Sequence, residues 1–144
     1  MIRAAALALL LIAVPLAAAP VPKELTRAER FDGTWTVESL VTFGQPSSEN
    51  LLWTIDAEGK MIRSDPNAPV AFKPERTILL KFDRPTKALD WSHGNSTFVG
   101  VYRLSGDKLE ICLAMQGAER PKEVEAGPKN YLWTLRRSVA EAKK

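Results

Sequence analysis

The sequence predicts an all-β domain, an antiparallel up-and-down β-barrel of about eight strands with a short N-terminal helical turn. Apolar and polar residues alternate with a period of two in several short segments, which is typical of half-buried strands. Turns rich in glycine, proline, asparagine or aspartate separate these segments, as in an antiparallel sandwich or barrel. A meander without long crossovers favours the closed barrel, because closure removes exposed strand edges.

The first 19 residues are predicted to be a secretory signal peptide. Arg3 supplies a positive charge, residues 4–14 form an unbroken apolar run, and small residues place the cleavage near Ala18-Ala19. The run is shorter than the roughly 18 residues of a membrane span. The alternative is an uncleaved N-terminal anchor. We therefore expect a periplasmic or secreted protein with no transmembrane span after cleavage.

The remaining 125 residues are predicted to form one domain. A lead-in at 20–30 precedes a barrel at 31–137, and a short tail follows at 138–144. Without Arg3 the chain has 19 basic and 17 acidic residues, a net charge of +2. This even balance does not indicate nucleic-acid binding, which usually shows a clustered basic stripe. We expect a monomer without a nucleic-acid partner.

The first strand is predicted from Thr34 to Phe43, where Trp35 and Val37 begin the apolar alternation. A short helical turn is expected before it within residues 21–30, with Pro22 near its start. The other seven strands are predicted from Leu51 to Ile55, Lys60 to Ser64, Arg76 to Asp83, Lys87 to Ser92, Phe98 to Leu104, Lys108 to Met115 and Tyr131 to Arg137.

The strongest local signal is a hairpin at Ser105-Gly106-Asp107. A Gly-Asp pair in a two-residue loop tolerates the positive φ that a tight hairpin requires. The longest irregular connections are predicted at residues 65–74 and 116–129, which are rich in proline or charge. No internal repeat or second domain is evident.

The segment Gly33-Thr34-Trp35 resembles the Gly-x-Trp signature of lipocalins. The resemblance implies that Trp35 packs across the closed end of a barrel. It also implies that an arginine of the last strand, Arg136 or Arg137, lies over the tryptophan ring. Such a stacked cation contributes about 0.5–2 kcal/mol, depending on burial. Gly33 allows a close backbone approach at this crowded position, and we expect all four residues to be structural.

The order of several motifs is similar to that of an uncharacterised lipocalin-like domain family common in planctomycete bacteria. The segments are GTWTVESL, KALDW, VGVYRLSGDKLEICLA, ERPKEV and WTLRR, spanning residues 31–137. Val124 departs from the phenylalanine of the family, and Lys122 follows Arg120-Pro121. The resemblance implies the barrel fold and no assigned reaction. The most specific block matches at Gly100, Tyr102, Leu104, Gly106, Asp107, Leu109, Ile111 and Cys112.

Residue types with catalytic or metal-binding chemistry are few and scattered. His93 is the sole histidine, and without His-x-x-His or Cys-x-x-Cys spacing we predict no metal site. Cys112 is the sole cysteine, which excludes an internal disulfide. It is predicted to be a small packed thiol, with intermolecular pairing as the alternative. Asp83 and Asp90 flank a turn, where such residues most often cap the backbone, so we expect neither an enzyme nor a cofactor.

Aromatic residues form the one pattern that indicates a function. With the apolar face of each strand turned inward, six of these side chains lie in the lumen. They either fill the core of a small barrel or form a cup for a small molecule. Four of them are the candidate ligand-binding residues, Trp53, Phe82, Trp91 and Tyr102; the other two lumen residues are Trp35 and Trp133.

Two functions from different classes remain open. The first is an exported lipocalin-like binding protein that holds a small hydrophobic ligand in the barrel. The second is an envelope protein–protein interaction or inhibitor module with a side-chain-filled barrel, whose loops, notably 116–129, hold another protein. An open aromatic pocket favours the first function and a filled lumen favours the second.

Overall fold

The computed structural model of the chain describes residues 25–67 and 77–138. Within these residues the chain forms nine strands and one short 3-10 turn. The turn is Arg27–Glu29, and the strands are β1 Gly33–Thr42, β2 Gln45–Ser47, β3 Leu52–Ile55, β4 Lys60–Ser64, β5 Thr77–Asp83, β6 Ala88–His93, β7 Ser96–Ser105, β8 Lys108–Ala114 and β9 Asn130–Arg137. The predicted signal peptide, Pro22, Arg76 and the tail after 138 lie outside the described residues.

Eight of the described strands close into an antiparallel barrel. β3 to β9 pair in chain order, and β1 pairs with both β3 and β9, which completes the ring. All of these pairings are antiparallel, and from β3 to β9 each joins consecutive strands. The predicted fold class, an up-and-down barrel with an N-terminal helical turn, is confirmed.

The predicted strands correspond to β1 and β3–β9, with ends that differ by no more than two residues. The hairpin prediction is also confirmed, because Ser105 pairs with Lys108 across Gly106, whose φ is 60°. The sequence reading missed β2, a three-residue strand on the end of β1. All three of its residues are exposed and the middle one is Pro46, so no apolar alternation marks it.

The connections define two ends of the barrel. The closed end carries the 3-10 turn, the start of β1 and the turns at 56–59, 84–87 and 106–107. The open end carries the β1–β2 turn at Gly44, the β6–β7 turn and the long loop at 115–129. These two ends are where any ligand or partner would meet the interior of the barrel.

The middle of the lumen is filled by apolar side chains. Alternation turns one face of each strand inward, and an eight-stranded barrel is just wide enough for such side chains to fill. The filling residues are 0–2% exposed: Ile55, Met61, Leu89, Leu109, Ile111 and Leu135. Any ligand seat is therefore confined to an end of the barrel.

The long loop at 115–129 covers part of the outer wall. Cys112 and Ala114 point outward from β8 yet are buried, at 0% and 2% exposed. Arg120 holds the loop in place: its Nη1 donates to the carbonyls of Leu89 and Gly100, at 2.8 and 2.6 Å. Its Nη2 donates to Asp90 at 2.7 Å. The Arg-Pro segment therefore has a structural role in this chain.

We expect Gly100→Ala to destabilise the barrel by about 1–3 kcal/mol, as for overpacking in a core. A Cβ at this position would lie 2.4 Å from the carbonyl oxygen of Cys112 and 2.6 Å from Leu113 Cδ2. Urea unfolding measures the change. Gly127→Ala is the matched control, because its new Cβ would meet only the Asn130 side chain, at 3.3 Å. Equal stability of the two variants would contradict the prediction.

Candidate functional site

The closed end is built around Trp35. The indole is fully buried and its Nε1 donates to the carbonyl of Phe31 at 2.8 Å. The guanidinium carbon of Arg137 lies 4.2 Å from the ring centroid of Trp35. Gly33 has a φ of 128°, and a Cβ there would lie 3.1 Å from Arg137 Nη1. The glycine therefore leaves room for the arginine beside the tryptophan.

Of the two predicted arginines, Arg137 is the one over the ring. It also donates to the carbonyls of Asp32, Arg30 and Arg27, at 2.8, 2.6 and 3.2 Å. Burial lowers the pKa of Arg137 from its ordinary value, an effect that the nearby carboxylate of Asp107 opposes. Arg136 points outward and pairs with Glu38 on the surface. The hydrogen bonds of Arg137 join the last strand to the segment that precedes the first.

Two of the four candidate ligand-binding residues belong to this closed end. Phe82 stacks on Phe31 with ring centroids 3.8 Å apart, and Tyr102 meets both rings edge-on at 5.1 Å. The Tyr102 hydroxyl donates to the carbonyl of Asp83 at 3.3 Å. Desolvation by burial raises the pKa of Tyr102 above 10.0. These rings contact one another and the main chain, and the half-buried Phe82, together with Phe31, also lines the groove at this end.

A groove of about 880 Å³ lies beside this ring cluster. It runs between the lead-in to β1, the turn at 56–59 and β5, with lining residues that include Leu25, Glu58 and Leu79. Leu25 and Leu79 are 45% and 51% exposed. Asp56, which also lines the groove, accepts hydrogen bonds from main-chain N–H groups of its own turn. The charged residues that line the groove are of both signs, and two of them, Arg30 and Asp32, pair with each other at 2.6 Å.

The other two candidates, Trp53 and Trp91, lie together near the open end with three further aromatic residues. The prediction placed one of these, Trp133, in the lumen and did not include the other two. We call this set the open-end aromatic cluster. Its neighbouring rings are in contact, with centroid distances of 4.8 to 5.7 Å. The cluster consists of Phe43, Trp53, Trp91, Tyr131 and Trp133.

The cluster extends from the rim into the lumen. Phe43 is 38% exposed at the β1–β2 turn, whereas Trp53 is fully buried. Trp91 and Trp133 stack with an interplanar angle of 21°, and Trp53 meets Trp91 edge-on. Trp91 and Trp133 are only 6% and 7% exposed, so the accessible part of the cluster is Phe43 and the half-buried Tyr131 at the rim. Aromatic faces there offer apolar contact area to a flat molecule.

Two indole donors in the cluster have no acceptor within residues 25–67 and 77–138. Among the described residues, Trp53 Nε1 and Trp133 Nε1 are buried and have no hydrogen-bond partner. A buried tryptophan N–H usually finds a partner, and leaving one unmade costs about 1–3 kcal/mol. The pair therefore marks the cluster as a place where an acceptor atom would stabilise the protein.

An inward-facing cation, Arg63, lies at the same end, and the sequence reading did not identify it. Arg63 is directly opposite Trp53 in the β3–β4 register, so both side chains share the lumen face. Its guanidinium carbon is 5.9 Å from the Trp53 ring centroid, and its Nη2 is 2.9 Å from Glu49 Oε2. The signal was available, since Arg63 follows the inward Met61 by two residues on one strand.

The other reactive side chains have structural surroundings. Cys112 is a free, buried thiol whose Sγ donates to the carbonyl of Glu125 at 3.4 Å. Desolvation by burial raises its pKa above 9.0, which disfavours a nucleophilic thiolate. Asp90 pairs with Arg120, and Asp83 accepts a hydrogen bond from Thr86. His93 is exposed, and the described part of the chain contains no group of three or more potential metal ligands.

The fold defines the class: a closed, antiparallel, lipocalin-like barrel with an aromatic cluster near its open end. Comparison with models of known protein families, with curated proteins and with solved structures gives no match for this chain. In residues 25–67 and 77–138, no helix has the length and hydrophobicity needed to cross a membrane.

Proposed function

We propose that the protein is an exported binding protein that takes a small, planar, hydrophobic molecule at the open-end aromatic cluster. The observation that carries the proposal is the pair of buried indole N–H groups, of Trp53 and Trp133, without an acceptor among the described residues. A flat molecule with a carbonyl or similar acceptor would stack on the rings and satisfy a donor. The predicted signal peptide supports export.

The apolar side chains that fill the middle of the lumen limit where a ligand can bind. Because residues such as Met61 and Leu89 are fully buried there, the ligand would sit at the rim of the open end, beside Phe43 and Tyr131. The same filling also supports the second predicted function, an envelope interaction or inhibitor module. The unpaired indole donors favour the small ligand, since a protein partner at the outer loops would leave them unchanged.

The test is native mass spectrometry of the mature protein purified from its own host, together with titration by naphthalene-2-carboxamide. We expect a discrete extra mass that disappears on denaturation, and quenching of tryptophan fluorescence by the probe. Trp91→Leu should weaken probe binding by about tenfold or more, because it removes a stacked ring of the cluster. Phe82→Leu, at the closed end, is the matched control and should leave it unchanged.

A bare mass with no fluorescence change would contradict the proposed function and favour a protein partner. Equal loss of binding in the two variants would also count against it, because the closed-end ring of Phe82 makes no contact with the open-end cluster among the described ring pairs. Circular dichroism of each variant establishes that the barrel is still folded.

A further inference from the structure

The ion pair at the open end extends the proposed function and rests on it. Arg63 projects from β4 onto the lumen face beside Trp53. Because its side chain is 29% exposed, the guanidinium is only partly desolvated, and a partner of opposite charge offsets that part of the cost. Glu49, on the segment between β2 and β3, is that partner at 2.9 Å. The open end therefore contains a guanidinium that binds a carboxylate, that of Glu49, beside the indole of Trp53.

Arg63 and Arg137 occupy similar positions beside an indole but are held by different partners. The pairing registers place Arg137, Trp35, Trp53 and Arg63 in one row across β9, β1, β3 and β4. An arginine thus lies beside an indole at each end of the row. Arg137 is held by three main-chain carbonyls and its side chain is only 5% exposed. Arg63 is held by a side chain from a connecting segment and is 29% exposed.

Because of this difference, the partner of Arg63 can be exchanged for a ligand more easily than the partners of Arg137. Replacing the partners of Arg137 would require the chain before β1 to move. Replacing Glu49 requires only that one partly exposed carboxylate, 27% exposed, rotate away. Partly exposed ion pairs contribute little to stability, so a second carboxylate can compete with Glu49 for the guanidinium.

We propose that the ligand is a planar aromatic carboxylic acid, whose carboxylate replaces that of Glu49 on Arg63 while its ring stacks on the open-end aromatic cluster. A guanidinium matches the two oxygens of a carboxylate in geometry and charge. The indole N–H groups of Trp53 and Trp133 supply neutral donors on adjoining rings, whose centroids are 5.7 Å apart. When no acid is bound, the carboxylate of Glu49 pairs with Arg63.

The experiment compares naphthalene-2-carboxylate with its neutral counterpart, naphthalene-2-carboxamide, by calorimetric titration of the mature protein. We expect the acid to bind about tenfold tighter than the amide, as for one charge-assisted contact. Arg63→Gln should remove this preference and leave the affinity for the amide unchanged. Glu49→Gln should strengthen binding of the acid several-fold, because the internal competitor is gone.

Arg103→Gln is the matched control. It removes the same charge from the outer wall, where Arg103 pairs with Glu110 at 3.4 Å, and the preference for the acid should remain. Equal affinities for acid and amide, or a preference that survives Arg63→Gln, would overturn this inference and leave the proposed function standing. Unchanged affinity of the Glu49→Gln variant for the acid would contradict the proposal that the ligand carboxylate replaces that of Glu49 on Arg63. Binding of neither probe would overturn both proposals.

Discussion

Trp35→Ala is expected to lower the free energy of unfolding by about 3–5 kcal/mol, the usual cost of deleting a large buried aromatic side chain. The indole is 0% exposed, and the residues around it are held by strand pairing, so the cavity cannot collapse. The variant also loses the hydrogen bond to the Phe31 carbonyl and the stacked cation of Arg137. Urea unfolding followed by circular dichroism measures the change.

The control for this prediction is another aromatic residue in a different environment. Phe43 is 38% exposed at the rim, so Phe43→Ala should cost no more than about 1 kcal/mol. A thermal midpoint unchanged by Trp35→Ala would contradict the interpretation of Trp35 as the floor of the barrel. Since domains of this size are stable by only about 5–15 kcal/mol, the expected loss is a large part of the total.

Arg137→Met is expected to destabilise the protein by about 2–4 kcal/mol, because three main-chain carbonyls lose their donor and an apolar side chain cannot replace it. These carbonyls belong to Arg27, Arg30 and Asp32. The 3-10 turn should therefore detach from the barrel before the strands unfold. Hydrogen exchange, which reports local opening, should show faster exchange in residues 25–32 than in the strands.

Two further variants test whether the position of Arg137 or its charge matters. Arg136→Met removes the neighbouring charge, which pairs with Glu38 on the surface, and should leave the stability nearly unchanged. Arg137→Lys keeps the charge but not the planar set of donors, so it should recover less than half of the loss. A double-mutant cycle with Trp35 should give a coupling of about 0.5–2 kcal/mol. Similar losses for Arg136→Met and Arg137→Met would contradict the assignment.

The proposed ligand binding concerns the open end of the barrel, whereas the stability predictions above concern its closed end. Trp35 and Arg137 maintain the closed end, whereas Arg63 and the open-end aromatic cluster carry the proposed binding. Variants of Trp35 and Arg137 should therefore mainly lower stability, whereas variants of the partly exposed Arg63 should mainly change ligand affinity.

Local patterns in the sequence indicate which residues face inward and where most strands begin and end. Period-two alternation is local, and turns such as Gly106-Asp107 require positive φ or tight geometry. These local signals identified Trp35, Trp53 and Trp91 as lumen residues, and the structure buries all three. They missed β2, because a short exposed strand containing Pro46 has no apolar face.

The position of each inward residue along the barrel axis depends on the tertiary structure. So does the identity of its neighbours. Pairing registers around the ring place Arg137 opposite Trp35, and the rings of Phe82 and Tyr102 lie at the closed end, apart from Trp53 and Trp91. Registers depend on closing the whole sheet, a long-range condition that no single strand encodes. For the same reason, the burial of the outward Cys112 beneath the loop at 115–129 became evident only in the folded chain.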